Sequence, residues 1–252
     1  MHILLVNDDG IGAVGIMALL EAAVQRGHTV TMSAPATQQS AASHRITLTE
    51  PIFMQPYETG YPGVEAFAIK GTPADCVRIA LRGGVMRQQP DVIISGINNG
   101  HNAGTDVHYS GTVGAAMEGS MSGLRSVAAS IGWNASAESL RALASLTIDM
   151  AERYSRIPPL PMSVMNINAP GEPPENWMPT VYAPLNVSCS QDGYERRESP
   201  FHGPYFWLTG CAEPVACQEG SDQWYLARGH VTVTMLGNFG SLSTQEWNGL
   251  GL

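Results

Sequence analysis

Three short polar runs in this chain carry residue types able to do chemistry. The first, Asn7-Asp8-Asp9-Gly10, sets two adjacent carboxylates directly after the apolar run His2 to Val6. Neighbouring carboxylates repel each other unless positive charge sits between them. Oxygen ligands of this type suit Mg²⁺, Mn²⁺ or Ca²⁺. The same run also reads as a turn in which one Asp caps the next helix. The second, Ser95-Gly96-Ile97-Asn98, follows another apolar run, and Asn98 offers a neutral oxygen as a third ligand or forms an Asx-turn. The third, Tyr109-Ser110-Gly111-Thr112-Val113, leads into a stretch rich in small residues. Free backbone N–H groups at a helix start, with hydroxyls beside them, make an anion site. An ordinary Ser/Thr cap has the same sequence signature. Taken singly the runs are ambiguous; together they supply a cation site and a phosphate cradle, the parts of phosphoryl chemistry. His101 and His108, between the second and third runs, are candidate general acids or solvated loop residues.

The elements that must position these runs are legible. His2 to Val6, Thr29 to Ala34, Ile46 to Phe53, Val64 to Ile69, Asp91 to Ile94, Ser126 to Ile131 and Met162 to Ile167 read as strands. Ile16 to Arg26 has helical spacing closed by Gly27, and Thr72-Pro73 starts a helix with Thr72 as N-cap. Thr112 to Met121 and Glu138 to Tyr154 complete the helices, and Ser95 to Asp106 reads as a Gly/Asn-rich loop. Alternation of this kind specifies an α/β fold, a doubly wound, mostly parallel sheet with helices on both faces. All three polar runs then fall at carboxyl ends of strands, where such sheets gather ligands. Near Pro158 the composition changes. Eleven of 17 prolines and four of five tryptophans lie from there onward, and Tyr205 to Thr209 and His230 to Met235 read as strands of a β-rich extension. Residues 1–180 are expected to form the catalytic core, and 181–252 the extension, used in oligomerisation.

Composition narrows the function further. A net charge of −9 with a single lysine, Lys70, excludes a general nucleic-acid binder, which needs basic residues against phosphates. One bound cation can still supply the positive charge that a small phosphorylated substrate requires. No apolar run approaches membrane-spanning length, and Ile3 to Val6 is too short for a signal-peptide core. Cys76, Cys189, Cys211 and Cys217 lack CxxC spacing, which suits a reduced, cytoplasmic setting; one disulfide among the last three is the alternative.

The sequence resembles the SurE (survival protein) 5′-nucleotidase family. The likeness rests on Ile3 to Gly10, on Gly71-Thr72-Pro73-Ala74-Asp75-Cys76-Val77, and on Ser95-Gly96-Ile97-Asn98. It continues through Gly100, Asn102, Gly104, Asp106-Val107, Tyr109 to Ala116 and Glu118-Gly119. The resemblance implies a Rossmann-like core and divalent-metal-dependent hydrolysis of nucleoside monophosphates, with 3′-nucleotides and polyphosphate as further substrates. It implies one Mg²⁺ or Mn²⁺ per subunit held by Asp8, Asp9, Ser40 and Asn98, and phosphate binding by Asn102, Ser110, Gly111 and Thr112. Asp8 and Asp9 would also act in catalysis, and the assembly would be a homodimer or homotetramer. Ser40 enters on the resemblance alone. Around it the family form Arg-Ser-Gly-Ala-Ser-Asn is replaced by Gln39-Ser40-Ala41-Ala42-Ser43-His44. A non-catalytic nucleotide-binding sensor is the competing expectation, since a fold of this class hosts many functions.

Overall fold

Successive side chains of a strand point to opposite faces, and the first strand, β1 (His2–Val6), uses both. Ile3 and Leu5 enter one apolar core with Ile16, Leu19 and Leu20, while Leu4 and Val6 enter another with Cys76, Val77 and Ala115. A continuous apolar run is what burial on both faces demands. The computed structural model describes residues 1–187, 192–211 and 217–237.

From β1 the chain passes through α1 (Val14–Gln25), β2 (Thr29–Pro35), β3 (Phe53–Pro56), β4 (Glu65–Lys70) and α2 (Pro73–Arg82). It continues with β5 (Val92–Asn99), α3 (Gly111–Met121), β6 (Arg125–Ile131), α4 (Ala137–Ser155) and β7 (Val164–Ala169). The last elements are β8 (Met178–Tyr182), β9 (Asp192–Ser199), β10 (Gly203–Cys211), α5 (Asp222–Leu226) and β11 (His230–Leu236). Among the described residues nine strands form one sheet in the order β3-β4-β2-β1-β5-β6-β7-β11-β8. Only β3 against β4 and β11 against β7 run antiparallel. Residues of α1 and α4 share the first core and residues of α2 and α3 the second, so the helices cover both faces. The expected doubly wound, mostly parallel α/β sheet is the one observed. β1 lies between β2 and β5, the switch point at which connections leave in opposite directions and open a crevice. None of the helices among the described residues is long and apolar enough to cross a membrane.

Three elements differ from expectation. Ile46 to Phe53 is not a strand; pairing begins only at Phe53, on an edge strand whose side chains are exposed. The reason is a competing set of hydrogen bonds. Thr47 donates its backbone N–H (3.0 Å) and hydroxyl (2.7 Å) to the Asp75 carboxylate, and the Thr72 hydroxyl donates to Arg45 O at 2.6 Å. The capping box at the start of α2 thus occupies polar groups that a sheet ladder would need. Next, β5 does not end at Ile94 but runs to Asn99, into the expected loop. Finally, among the described residues beyond 181, only β9 and β10 stand apart, as a two-stranded antiparallel hairpin, whereas β11 lies inside the main sheet. The short α5 has no room to display a helical period. Cys76 is fully buried in the core; Cys189 lies outside the described residues.

Asp75 is buried and also accepts from Thr72 N–H at 3.0 Å. Burial pushes its pKa up, but the bonds from Thr47 and Thr72 outweigh this and hold it below the usual Asp value. Asp75→Ala is expected to cost about 2 kcal/mol by leaving these donors unmet, read as a lower urea midpoint. Because the folded pKa is depressed, this stability is present above the unfolded pKa and is lost as pH falls below about 3.9. Asp75→Asn should therefore flatten the acid limb of the stability profile measured from pH about 5 downward.

Candidate active site

The turn after β1 is built by its own side chains. Buried Asn7 donates from Nδ2 to Gly10 O at 2.8 Å, and its Oδ1 accepts from Gly10 N at 3.2 Å. Gly10 closes the turn at φ +109°, a conformation that side chains disfavour. Asp8 and Asp9 are thereby delivered to the carboxyl end of the central strand. Asp8 is almost fully buried, and its Oδ1 accepts the Thr112 hydroxyl. Burial pushes its pKa up to about 6; the Thr112 bond opposes that shift and the Asp9 charge adds to it. Asp9 accepts from Asn99 N–H and from Gln38 Nε2, each at 3.3 Å, and burial raises its pKa as well.

Asn98 reaches the same place through a bulge. The β5–β6 register shifts between Ser95 and Asn98, and an extra residue in a strand re-aims the side chains beyond it. A methyl group on Gly15 of α1 would come within 1.9 Å of Ile97 O, so the helix backbone rests directly on the bulge. The Asn98 amide donates to Gly100 O at 2.8 Å.

The Ser40 loop is tied to both neighbours. Gln39 N–H donates to Asp8 O at 2.7 Å, and Ser43 donates from N to Tyr109 O at 2.9 Å and from Oγ to His108 O at 2.6 Å. Ala41, where the family form has Gly, takes φ +54°. His44 bonds Glu118, a buried carboxylate on α3 that also accepts from Arg78 at 3.0 Å. Ser110 caps α3, its Oγ accepting from Val113 N at 3.1 Å. That is the ordinary cap, and it leaves the Ser110 hydroxyl proton available to an anion. Gly111 must be small, since a methyl there would lie 3.0 Å from Asp8 Cβ.

Asn102 sits in an amide network. It donates from N to Asn168 Oδ1 and from Nδ2 to Ser130 Oγ, both at 2.8 Å, while its carbonyl accepts from Asn166 and Asn168. The loop continues to Gly104, whose N–H donates to Asp222 Oδ2 at 2.8 Å. Asp222, fully buried at the start of α5, also accepts from Asn186 N–H at 2.7 Å.

Asp8, Asp9, Ser40, Asn98, Asn102 and Ser110 line one open cleft of about 330 Å³. Thr112 and Gly111 stand behind Asp8 as its hydroxyl donor and its close neighbour. The expected metal and phosphate residues are thus brought to one place, whereas of the two candidate histidines only one is. His101 also lines the cleft, but its Nε2 donates to Ala169 O at 2.8 Å and burial lowers its pKa. A neutral ring with that proton already engaged is a poor general acid. His108 instead lines a separate, mainly apolar pocket with Val113 and Met117.

The donor set fits a hard divalent cation. Two carboxylates share one cleft with Asn98 and Ser40, and a cation there would offset the burial and the Asp9 charge that push the Asp8 pKa up to about 6. Among the described residues no group of three or more His, Cys, Asp and Glu side chains is placed to hold a metal, so neutral oxygens would have to complete the set.

Residues 3–191 match the model of the family described as Survival protein SurE. The chain belongs to the SurE family. The 5′-nucleotidase SurE of Solidesulfovibrio magneticus is 40% identical over 238 residues, 94% of this chain and 91% of its own. That of Synechococcus elongatus is 38% identical over 243 residues, 94% and 93% of the two chains. The crystal structure of the SurE protein from Aquifex aeolicus aligns with a TM-score of 0.78 at 31% identity, covering 98% of this chain and 96% of its own.

Around this SurE-family cleft, sequence reasoning passed over Gln38, which lines it, and Ser130, Asn166, Asn168 and Asp222, which hold Asn102 and Gly104 from behind. Asn166 and Asn168 did leave a signal, as two amides in register on one face of an apolar strand. Gly15→Ala, which forces a methyl into Ile97 O, is expected to cost about 3 kcal/mol through overpacking. Equilibrium urea denaturation checks this; an unchanged midpoint would mean that α1 does not rest on the bulge.

Proposed function

We propose that this protein is a 5′-nucleotidase, a phosphomonoesterase that uses one Mg²⁺ or Mn²⁺ to hydrolyse nucleoside monophosphates, with 3′-nucleotides and polyphosphate as further substrates. The reading is carried by one observation: two carboxylates, Asp8 and Asp9, share a cleft with the N-terminus of α3. Carboxylates beside an anion site would repel a phosphate unless a cation were held between them. The names of the relatives, 5′-nucleotidase SurE, agree with this chemistry.

Asp8, Asp9, Asn98 and Ser40 would hold the cation, which when bound neutralises phosphoryl charge and lowers the pKa of water. The rest falls to the chain itself. Thr112 fixes the Asp8 carboxylate, and Asn99 N–H and Gln38 fix that of Asp9, so neither has to reorganise when charge develops. The Ser110 hydroxyl and the first amides of α3 receive phosphoryl oxygens. Asp9, less buried than Asp8, is the better placed to accept a proton from water. The exposed Phe206 and Trp207 of the β9–β10 hairpin support a homodimer or homotetramer formed through that extension.

Phosphate release from AMP should stop on addition of EDTA and return with excess Mg²⁺ or Mn²⁺. Asp8→Asn should lower kcat more than about 100-fold, and Thr112→Val about 10- to 100-fold, because it removes only the group that orients a ligand. Full turnover by Asp8→Asn would sink the assignment.

A further inference from the structure

The largest side chain at the cleft stays out of the apolar cores. Trp133, in the turn after β6, is 71% exposed and enters none of the three buried apolar clusters. Its indole lies over Gly100, where an added methyl would come within 2.8 Å of the ring. Gly100 is itself held, donating to Ile131 O at 2.8 Å and accepting from the Asn98 amide. Trp133 therefore stands on the same short segment that carries Asn98, and it lines the cleft with Asp8 and Asp9. Beside it the lining is polar or glycine except for Ala41 and Tyr109. A polar floor suits a phosphate and a sugar, but offers little to a heterocyclic base. A broad, exposed indole at the rim offers a π-face that any base can stack on.

We propose that Trp133 is a specificity-determining residue, the platform on which the nucleobase stacks while the phosphate occupies the Asp8–Ser110 end of the cleft. This rests on the nucleotidase reading above but concerns a different part of the substrate. Stacking adds binding that is present before and during hydrolysis alike, so it belongs in KM and not in kcat. The preference should follow ring size, with purine nucleotides favoured over pyrimidine ones.

The test compares wild type, Trp133→Ala and Trp133→Phe on AMP and on ribose 5-phosphate, which lacks a base. Trp133→Ala should raise KM for AMP about tenfold with kcat unchanged, and leave ribose 5-phosphate kinetics as in wild type. Trp133→Phe should recover most of the lost affinity. An unchanged KM for AMP would overturn the proposal. So would an equal rise for both substrates, because that would mean Trp133 only props up Gly100. A second measurement needs no turnover: adenosine should quench tryptophan emission in wild type and much less in Trp133→Phe. If wild type released no phosphate from either substrate, the nucleotidase reading would fail and the quenching would still decide the role of Trp133. Equal quenching in both proteins would overturn it.

Discussion

A carboxylate carried out of water at the end of a buried strand is the constraint on which this structure turns. Asp8 stands one residue beyond four apolar residues that belong to two cores, so the sheet that stabilises the fold also takes its charge out of solvent. Burial makes the ionised form costly, and Asp9 next door adds repulsion. The surrounding structure answers that cost with donors: for Asp8 a hydroxyl from the start of α3, and for Asp9 a backbone N–H from the end of β5 and an amide from the Ser40 loop. Three chain segments thus converge because one strand end demands it. What they do not supply is positive charge, which is the ground for the divalent ion proposed above.

The same convergence explains the small residues around the turn. Gly111 lets a helix start approach Asp8, and Gly15 lets α1 rest on the Ile97 carbonyl. Neither position is primarily about flexibility; at Gly15 two backbones come closer than a methyl group allows, and at Gly111 the backbone lies tight against the Asp8 side chain. The bulge between Ser95 and Asn98 is held from one side by α1 and from the other by β6, so Asn98 is aimed by packing.

How far this was legible in the sequence depends on the range of the interactions involved. β1, α2 and the cap at Ser110 are written locally, in apolar runs, a Thr-Pro start and a Ser before a small-residue helix, and they fold as read. The polar runs at strand ends were legible because a parallel sheet leaves its ligands nowhere else to gather. Ile46 to Phe53 was misread because its strand-like residues give their backbone to Asp75, nearly thirty residues on, and no local pattern records that. β5 outran its expected end because Gly96 and Asn98 look like loop residues until a bulge accommodates them. Ser40 carries no local signal at all; what places it is the bond from Gln39 to Asp8 O. The return of β11 to the main sheet was hidden for the same reason, since pairing with β7 is a long-range choice.

The bond from Gly104 to Asp222 has a temporal side. A growing chain has every cleft-lining residue once Trp133 is made, yet the Gly104 end of the loop between Asn102 and Ser110 lacks its bond to Asp222 until that residue emerges. Synthesis of roughly ninety further residues separates the two events, on the order of 5–20 s at common elongation rates. During that interval Ser43 can hold the loop at His108 and Tyr109, but nothing holds it through the Gly104 bond to Asp222. The order of assembly is therefore built into the fold: the charged floor comes first, and the clasp that steadies the loop above it comes near the end.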